Sequence, residues 1–124
     1  MILLDTNILI ELYKDNPLVK TALEKQGVSN LAINAITAGE LYFGARDKRE
    51  LRKIQKHLTL LEQIAVDAEI TELFIKLLRE YALSHRLNIP DALIAAAALQ
   101  NKLPLYTLNL KDFQYIPGLE LYKP

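Results

Sequence analysis

With 124 residues, 51% of them apolar, the chain has the length of one ordinary domain and enough hydrophobic mass to bury a core without a cofactor or a disulfide. Fifteen Lys and Arg balance fifteen Asp and Glu, so the net field attracts no polyanion and any nucleic-acid contact has to come from a local patch. Cysteine is absent and His57 and His85 are the only histidines, which excludes disulfides and cysteine nucleophiles, argues against a His/Cys zinc site or a serine triad, and leaves carboxylates for chemistry.

Short β-like runs alternate with longer helical ones. Met1-Ile2-Leu3-Leu4 is an apolar run ended by Asp5-Thr6-Asn7, residues that favour helix starts, and a helix is predicted over residues 8 to 14. Asp5 therefore lies at the carboxyl end of a strand. Asn16-Pro17 is a cap followed by proline at the first helical position, and Gly27 closes that helix near Gln26. Leu31-Ala32-Ile33 reads as a second strand. Helices follow over residues 35 to 46 and 48 to 61, then a third strand Ile64-Ala65-Val66 closed by Asp67. In the long helix continuing to about Arg86, Ile70, Leu73, Phe74, Leu77, Leu78 and Tyr81 recur at steps of three and four, which marks a core-facing stripe. Pro90-Asp91 opens a helix that is apolar on every side and rich in alanine, predicted to be the most buried. Leu103-Pro104-Leu105-Tyr106 makes a fourth strand, residues 107 to 113 a loop or short turn, and residues 119 to 122 an edge strand after Pro117-Gly118.

Strands separated by helices imply crossover connections and a mainly parallel sheet covered on both faces, and such sheets bind ligands beyond the carboxyl ends of their strands. Asp5, Glu40, Asp91 and Asp112 each fall in a segment that this topology brings to that rim. Each also has a plain structural role open to it: Asp5 as a helix cap, Glu40 in a capping box with Thr37, Asp91 as a complement to the helix dipole, Asp112 in an Asx turn. Together they mean something different. Carboxylates gathered at about 4 Å repel by roughly 4 kcal/mol per pair at an effective dielectric near 20, so the cluster needs either protonation or a hard, oxygen-preferring dication such as Mg²⁺ or Mn²⁺.

The stretches Asp5-Thr6-Asn7-Ile8-Leu9-Ile10, Thr37-Ala38-Gly39-Glu40-Leu41-Tyr42-Phe43-Gly44, Pro90-Asp91-Ala92-Leu93-Ile94 and Thr107-Leu108-Asn109-Leu110-Lys111-Asp112-Phe113 resemble, in order and spacing, the four motifs of PIN-domain nucleases, in particular the small single-domain VapC-type toxins. The resemblance covers essentially the whole chain, residues 1 to 124. It implies a three-layer αβα sandwich with a five-stranded sheet of order 3-2-1-4-5, and Mg²⁺- or Mn²⁺-dependent endoribonuclease activity leaving a 5′-phosphate and a 3′-hydroxyl. It also implies a homodimer silenced by a cognate antitoxin. By motif match, Asp5, Glu40, Asp91 and Asp112 take the places of the acidic quartet. Asp5 and Asp91 are the expected principal metal ligands, Asp112 a ligand directly or through water, and Glu40 the residue that completes the pocket or orients the attacking water. Two departures stand out: Leu108 occupies a loop where relatives often carry a basic residue, and Pro90 directly precedes the third acid.

Thr6, Thr107 and Asn109 flank the acids as candidates for holding ligand side chains or phosphate oxygens. At 100° per residue, Leu51, Ile54, Leu58 and Leu61 share one side of a helix whose other side carries Lys48, Arg49, Arg52, Lys53 and Lys56, a cationic stripe suited to phosphate contacts unless it is only a solvated face. Lys111 adds charge beside Asp112. Leu12, Tyr13, Tyr42 and Phe43 are candidate anchors for a dimer seam or an antitoxin groove. The start of the chain lacks a basic segment ahead of an apolar one, and no run of about 18 apolar residues occurs. A cytoplasmic protein without a membrane span is expected. A receiver domain would need an adjacent acidic pair near the first strand, where Leu3-Leu4-Asp5 offers one acid, and a haloacid-dehalogenase-type phosphatase needs Asp-x-Asp, where Asn7 takes the second place. The competing reading is a PIN-like RNA-binding or scaffold module that cuts nothing.

Overall fold

The computed structural model describes every residue, Met1–Pro124. Four strands, β1 (Ile2–Leu4), β2 (Leu31–Asn34), β3 (Glu62–Ile64) and β4 (Leu105–Tyr106), form one sheet of order β3-β2-β1-β4. All three pairings are parallel, with Ile2 opposite Leu31, Leu3 opposite Leu105 and Ala32 opposite Glu62. Parallel neighbours cannot be joined by a tight turn, so six helices carry the chain across: α1 (Thr6–Tyr13), α2 (Pro17–Gln26), α3 (Ala35–Phe43), α4 (Lys48–Leu58), α5 (Ala68–His85) and α6 (Ile89–Asn101). This is the α/β architecture that the sequence predicts, with one element reduced.

The expected fifth strand survives as a single parallel bridge between Leu105 and Leu121, held by Leu105 N–H on Glu120 O and Tyr122 N–H on Leu105 O, both 2.8 Å. It lies outside β4, so the spatial order runs as expected, and the chain enters it through a positive-φ turn at Gly118. The third strand sits two residues earlier than predicted. Its only neighbour is β2, whose last paired residue, Asn34, is also the cap of α3, so Ala65 and Val66 have nothing to pair with. Pro104, lacking an N–H, stays out of β4, although its carbonyl still accepts from Leu3 N–H at 2.9 Å. Two helices stop about three residues short of their expected ends: α3 at Gly44, and α4 at Thr59, whose hydroxyl donates to Lys56 O at 2.6 Å.

Alternation along the strands divides the core. Ile2 and Leu4 of β1 and Leu31 and Ile33 of β2 face one way, against Ile8 and Leu9 of α1, Val19 and Leu23 of α2, Leu41 of α3 and Ile54 and Leu58 of α4. Leu3, Ala32 and Leu105 face the other way, onto α5, α6, Phe113 and Ile116. In α6, Ala95 to Ala98 are at most 1% exposed, which makes it the most buried helix, as its composition predicts.

Candidate active site

Asp5 follows β1 without a gap, and its backbone is still in the sheet, its N–H donating to Tyr106 O at 2.9 Å. It caps α1, with Oδ1 accepting from Thr6 N–H at 2.7 Å, while Oδ2 accepts from the hydroxyl of Thr107, the residue that follows β4, at 2.8 Å. Only 5% of the residue is exposed. Two adjacent strand ends thus fix one carboxylate, and Asn109 N–H, bonding to Thr107 Oγ1 at 3.0 Å, orients the hydroxyl in turn. The loop after β4 is tied a second time by Leu108 N–H on Asn7 Oδ1, at 3.3 Å.

Glu40 is reached through Thr6, whose hydroxyl donates to Glu40 Oε1 at 2.8 Å and stands 3.3 Å from the buried Thr37 Oγ1. The capping-box alternative does not hold. Asn34 caps α3, its Oδ1 accepting from the N–H groups of Ile36 and Thr37, so Glu40 lies in the body of the helix, one turn beyond Thr37 on the same face. Asp91 sits in the first turn of α6, where Asn88 Oδ1 caps its N–H at 2.8 Å. The Asn34 amide reaches across to Leu93 O at 3.3 Å and ties α3 to α6 behind the two acids. Asp112 ends a short 3₁₀ turn, Leu110–Asp112, and is exposed.

The four acids lie within one another's fields. Burial first, then the charges of Asp5, Asp112 and Glu40, push Asp91 up to about 6, against a weaker pull from Asn88. Burial also raises Asp5; the Thr107 and Thr6 hydrogen bonds oppose this, and Glu40 and Asp112 add to it. Neither of the protein's two ion pairs, Lys14–Glu11 and Arg46–Glu50, involves any of the four. In kind, therefore, the residues fit a hard dication: the donors are all carboxylate oxygens and their repulsion has no counter-charge. No three Asp, Glu or His side chains are arranged closely enough to hold an ion with protein atoms alone.

Thr6 and Thr107 touch the acids through their hydroxyls, whereas Asn109 acts through its backbone. The signal for Thr107 in the sequence is its place directly after a strand. Arg49, Arg52 and Lys53 are exposed on α4. Lys53, Arg46, Ile54, Tyr13 and Glu40 line one groove of about 690 Å³ between α1, α3 and α4, which links part of the basic stripe to the acid cluster. Arg49 and Arg52 do not line it, and Leu51, predicted to be apolar-facing, is 38% exposed because α4 turns its Ile54 and Leu58 edge to the core. Lys111 is exposed beside Asp112. Of the candidate anchors, Phe43 is 94% exposed and Tyr13 41%, while Leu12 and Tyr42 pack on the core.

A parallel α/β sheet with acids converging at its carboxyl rim defines a class of hydrolase-like sites, and comparison with known proteins narrows it. The PIN domain family model matches residues 2–119, and the chain belongs to that family. It is 32% identical to Ribonuclease VapC1 of Methanocaldococcus jannaschii over 98% of this chain and 86% of that protein. Among solved structures it is similar to a chain of a toxin-antitoxin complex from Klebsiella pneumoniae, with 35% identity, TM-score 0.83 and all of both chains covered. A second is VapBC2 from Rickettsia felis bound to a DNA fragment from its promoter, with 31% identity, TM-score 0.78 and 98% of both chains covered.

Proposed function

We propose that the chain, as one nuclease domain over residues 1 to 124, is a Mg²⁺- or Mn²⁺-dependent endoribonuclease. We further propose that it is the toxin of a toxin–antitoxin pair, acting in the cytoplasm as a homodimer. The observation that carries the reading is that four carboxylates from four separate segments, none of them in an ion pair, lie within one another's fields, two of them joined through the Thr6 backbone and hydroxyl. The ribonuclease named among its relatives and the toxin-antitoxin complexes among its structural neighbours support it.

In this reading Asp5 and Asp91 hold the cation, Asp112 assists directly or through water, and Glu40 orients the attacking water. When bound, the dication polarises the phosphate and lowers the pKa of its water. The chain supplies orientation: Thr107 and the Thr6 N–H fix both oxygens of Asp5, and the Thr6 hydroxyl fixes Glu40. Arg49, Arg52, Lys53 and Lys111, with Thr6, Thr107 and Asn109 nearer the acids, are the groups for gripping substrate phosphates.

Incubating the protein with a labelled RNA panel in Mg²⁺, Mn²⁺ or EDTA tests this. Cleavage is expected only with metal, and Asp5→Asn and Asp91→Asn, which preserve size and remove a charge, each lower it on the order of a hundredfold or more. Cleavage that survives EDTA or either substitution overturns the mechanism. For the partner, a small protein encoded beside this one is expected to co-purify and suppress cleavage; an active, monodisperse protein without such a neighbour counts against the toxin role.

A further inference from the structure

The mechanism uses no aromatic side chain, yet three aromatic rings gather next to the third and fourth acids. Tyr81 and His85 are one turn apart near the end of α5, and Tyr115 follows Asp112 by three residues. The His85 and Tyr115 rings lie parallel, with centroids 4.0 Å apart and planes 14° from each other. Tyr81 meets both edge-on, at 5.5 Å from His85 and 5.2 Å from Tyr115. Ser84 Oγ, 2.8 Å from His85 Nδ1, fixes the imidazole in its plane.

The stack is firm below and open above. Tyr81 and Tyr115 pack against the α5–α6 side of the core, while His85 is exposed, so the ring face turned away from Tyr115 is the accessible one. Chain connectivity holds it beside the acids: His85 lies three residues before Asn88, the cap of the helix that carries Asp91, and Tyr115 lies one turn past Asp112. The Tyr115 phenol feels Asp91 and Asp112, whose charges add to burial in raising its pKa. Its hydroxyl is the one buried side-chain polar atom without a hydrogen-bond partner, so the ring is held by packing and stacking and by no hydrogen bond.

We propose that the His85–Tyr115 stack is a nucleobase platform, on which an unpaired base of the RNA substrate lies beside the acidic cluster. The proposal rests on the ribonuclease reading and deepens it by assigning a base-binding site next to the acids. A flat ring accepts any base by its face, but only a base outside a duplex has that face free, so the platform takes an unpaired base of any identity.

The test uses the whole chain in EDTA, with a short single-stranded RNA carrying a fluorescent adenine analogue at successive positions. Quenching of the analogue is expected on binding, and none with the same RNA in a duplex. His85→Ala, at an exposed position, weakens binding about 5- to 100-fold, and His85→Phe restores it. Tyr115→Phe, which keeps the ring and removes the orphaned hydroxyl, leaves quenching intact. In Mg²⁺, His85→Ala raises KM with little change in kcat. Equal binding and kcat/KM for wild type and His85→Ala overturn the platform while the ribonuclease reading stands. Quenching that depends on His85 in a protein that cleaves no RNA upholds the platform and overturns the ribonuclease reading.

Discussion

The two faces of the sheet are packed by opposite means. On the α1–α4 side, Ile8, Leu9, Leu23, Ile33 and Leu58 fill the space with branched bulk. On the α5–α6 side, Ala92 and Ala95 to Ala98 let α6 pack closely along α5, and the volume is made up by Phe113, Ile70 and Ile94. Bulk sets a helix at ordinary distance, and alanine lets it come closer. That difference reaches the site: Glu40 is held from the bulky side by a hydroxyl on α1, whereas Asp91 is carried by the first turn of α6, where Asn88 caps its N–H.

The first way to break this comparison is to remove volume on one side and add it on the other. Leu9→Ala, at a fully buried position, is expected to destabilise by about 2–5 kcal/mol, and Ala96→Leu by about 1–3 kcal/mol through overpacking, both read by urea unfolding. Cleavage should rank the other way. Ala96→Leu displaces the helix that carries Asp91 and lowers kcat more than Leu9→Ala does; the reverse ranking would show that packing on the α6 side does not set the site.

Smaller effects sharpen the contrast between the anchored acid and the strained one. Thr107→Ala removes the hydrogen bond to buried Asp5 and is expected to cost about 1–2 kcal/mol and to weaken Mg²⁺ binding measured by titration calorimetry. Asp91 is the opposite case. Its folded pKa, about 6 against the ordinary 3.8, means that the folded state holds the proton more tightly than the unfolded one. The metal-free protein therefore gains stability as pH falls through 6 towards 3.8, and that gain is lost as pH rises again. Asp91→Asn should remove this dependence and stabilise the metal-free protein near pH 7 by about 1 kcal/mol, the partial exposure of the side chain reducing the full effect. Mg²⁺ should raise the Tm of wild type more than that of the variant. A variant no more stable than wild type, with the same slope against pH, would mean that the acids do not interact.

Where local chemistry is decisive the sequence is read directly. Asn16-Pro17 and Gly27 bound α2 at Pro17–Gln26 as predicted, and Asp67 caps α5 through Ile70 N–H at 2.9 Å. Where the partner decides, the sequence misleads. Ala65 and Val66 have strand character but no neighbour, and Thr37 with Glu40 has the spacing of a capping box that Asn34 pre-empts. The acids were legible by position; the Thr6 and Thr107 hydroxyls that hold two of them were legible only as neighbours, because hydrogen bonds spanning 34 and 102 residues leave no local pattern.

The sequence by itself determined the alternation of strands and helices, the parallel sheet that this alternation forces, and the rim to which each of the four acids belongs. These follow from hydrophobic period, capping and chain connectivity, which act over a few residues. Only the tertiary structure decided that Asp5 is clamped while Asp112 stays exposed, that the last strand shrinks to one bridge, and that His85 stacks on Tyr115. Those outcomes depend on which surfaces meet, and a meeting between distant segments is settled by packing and desolvation rather than by the residues on either side of it in the chain.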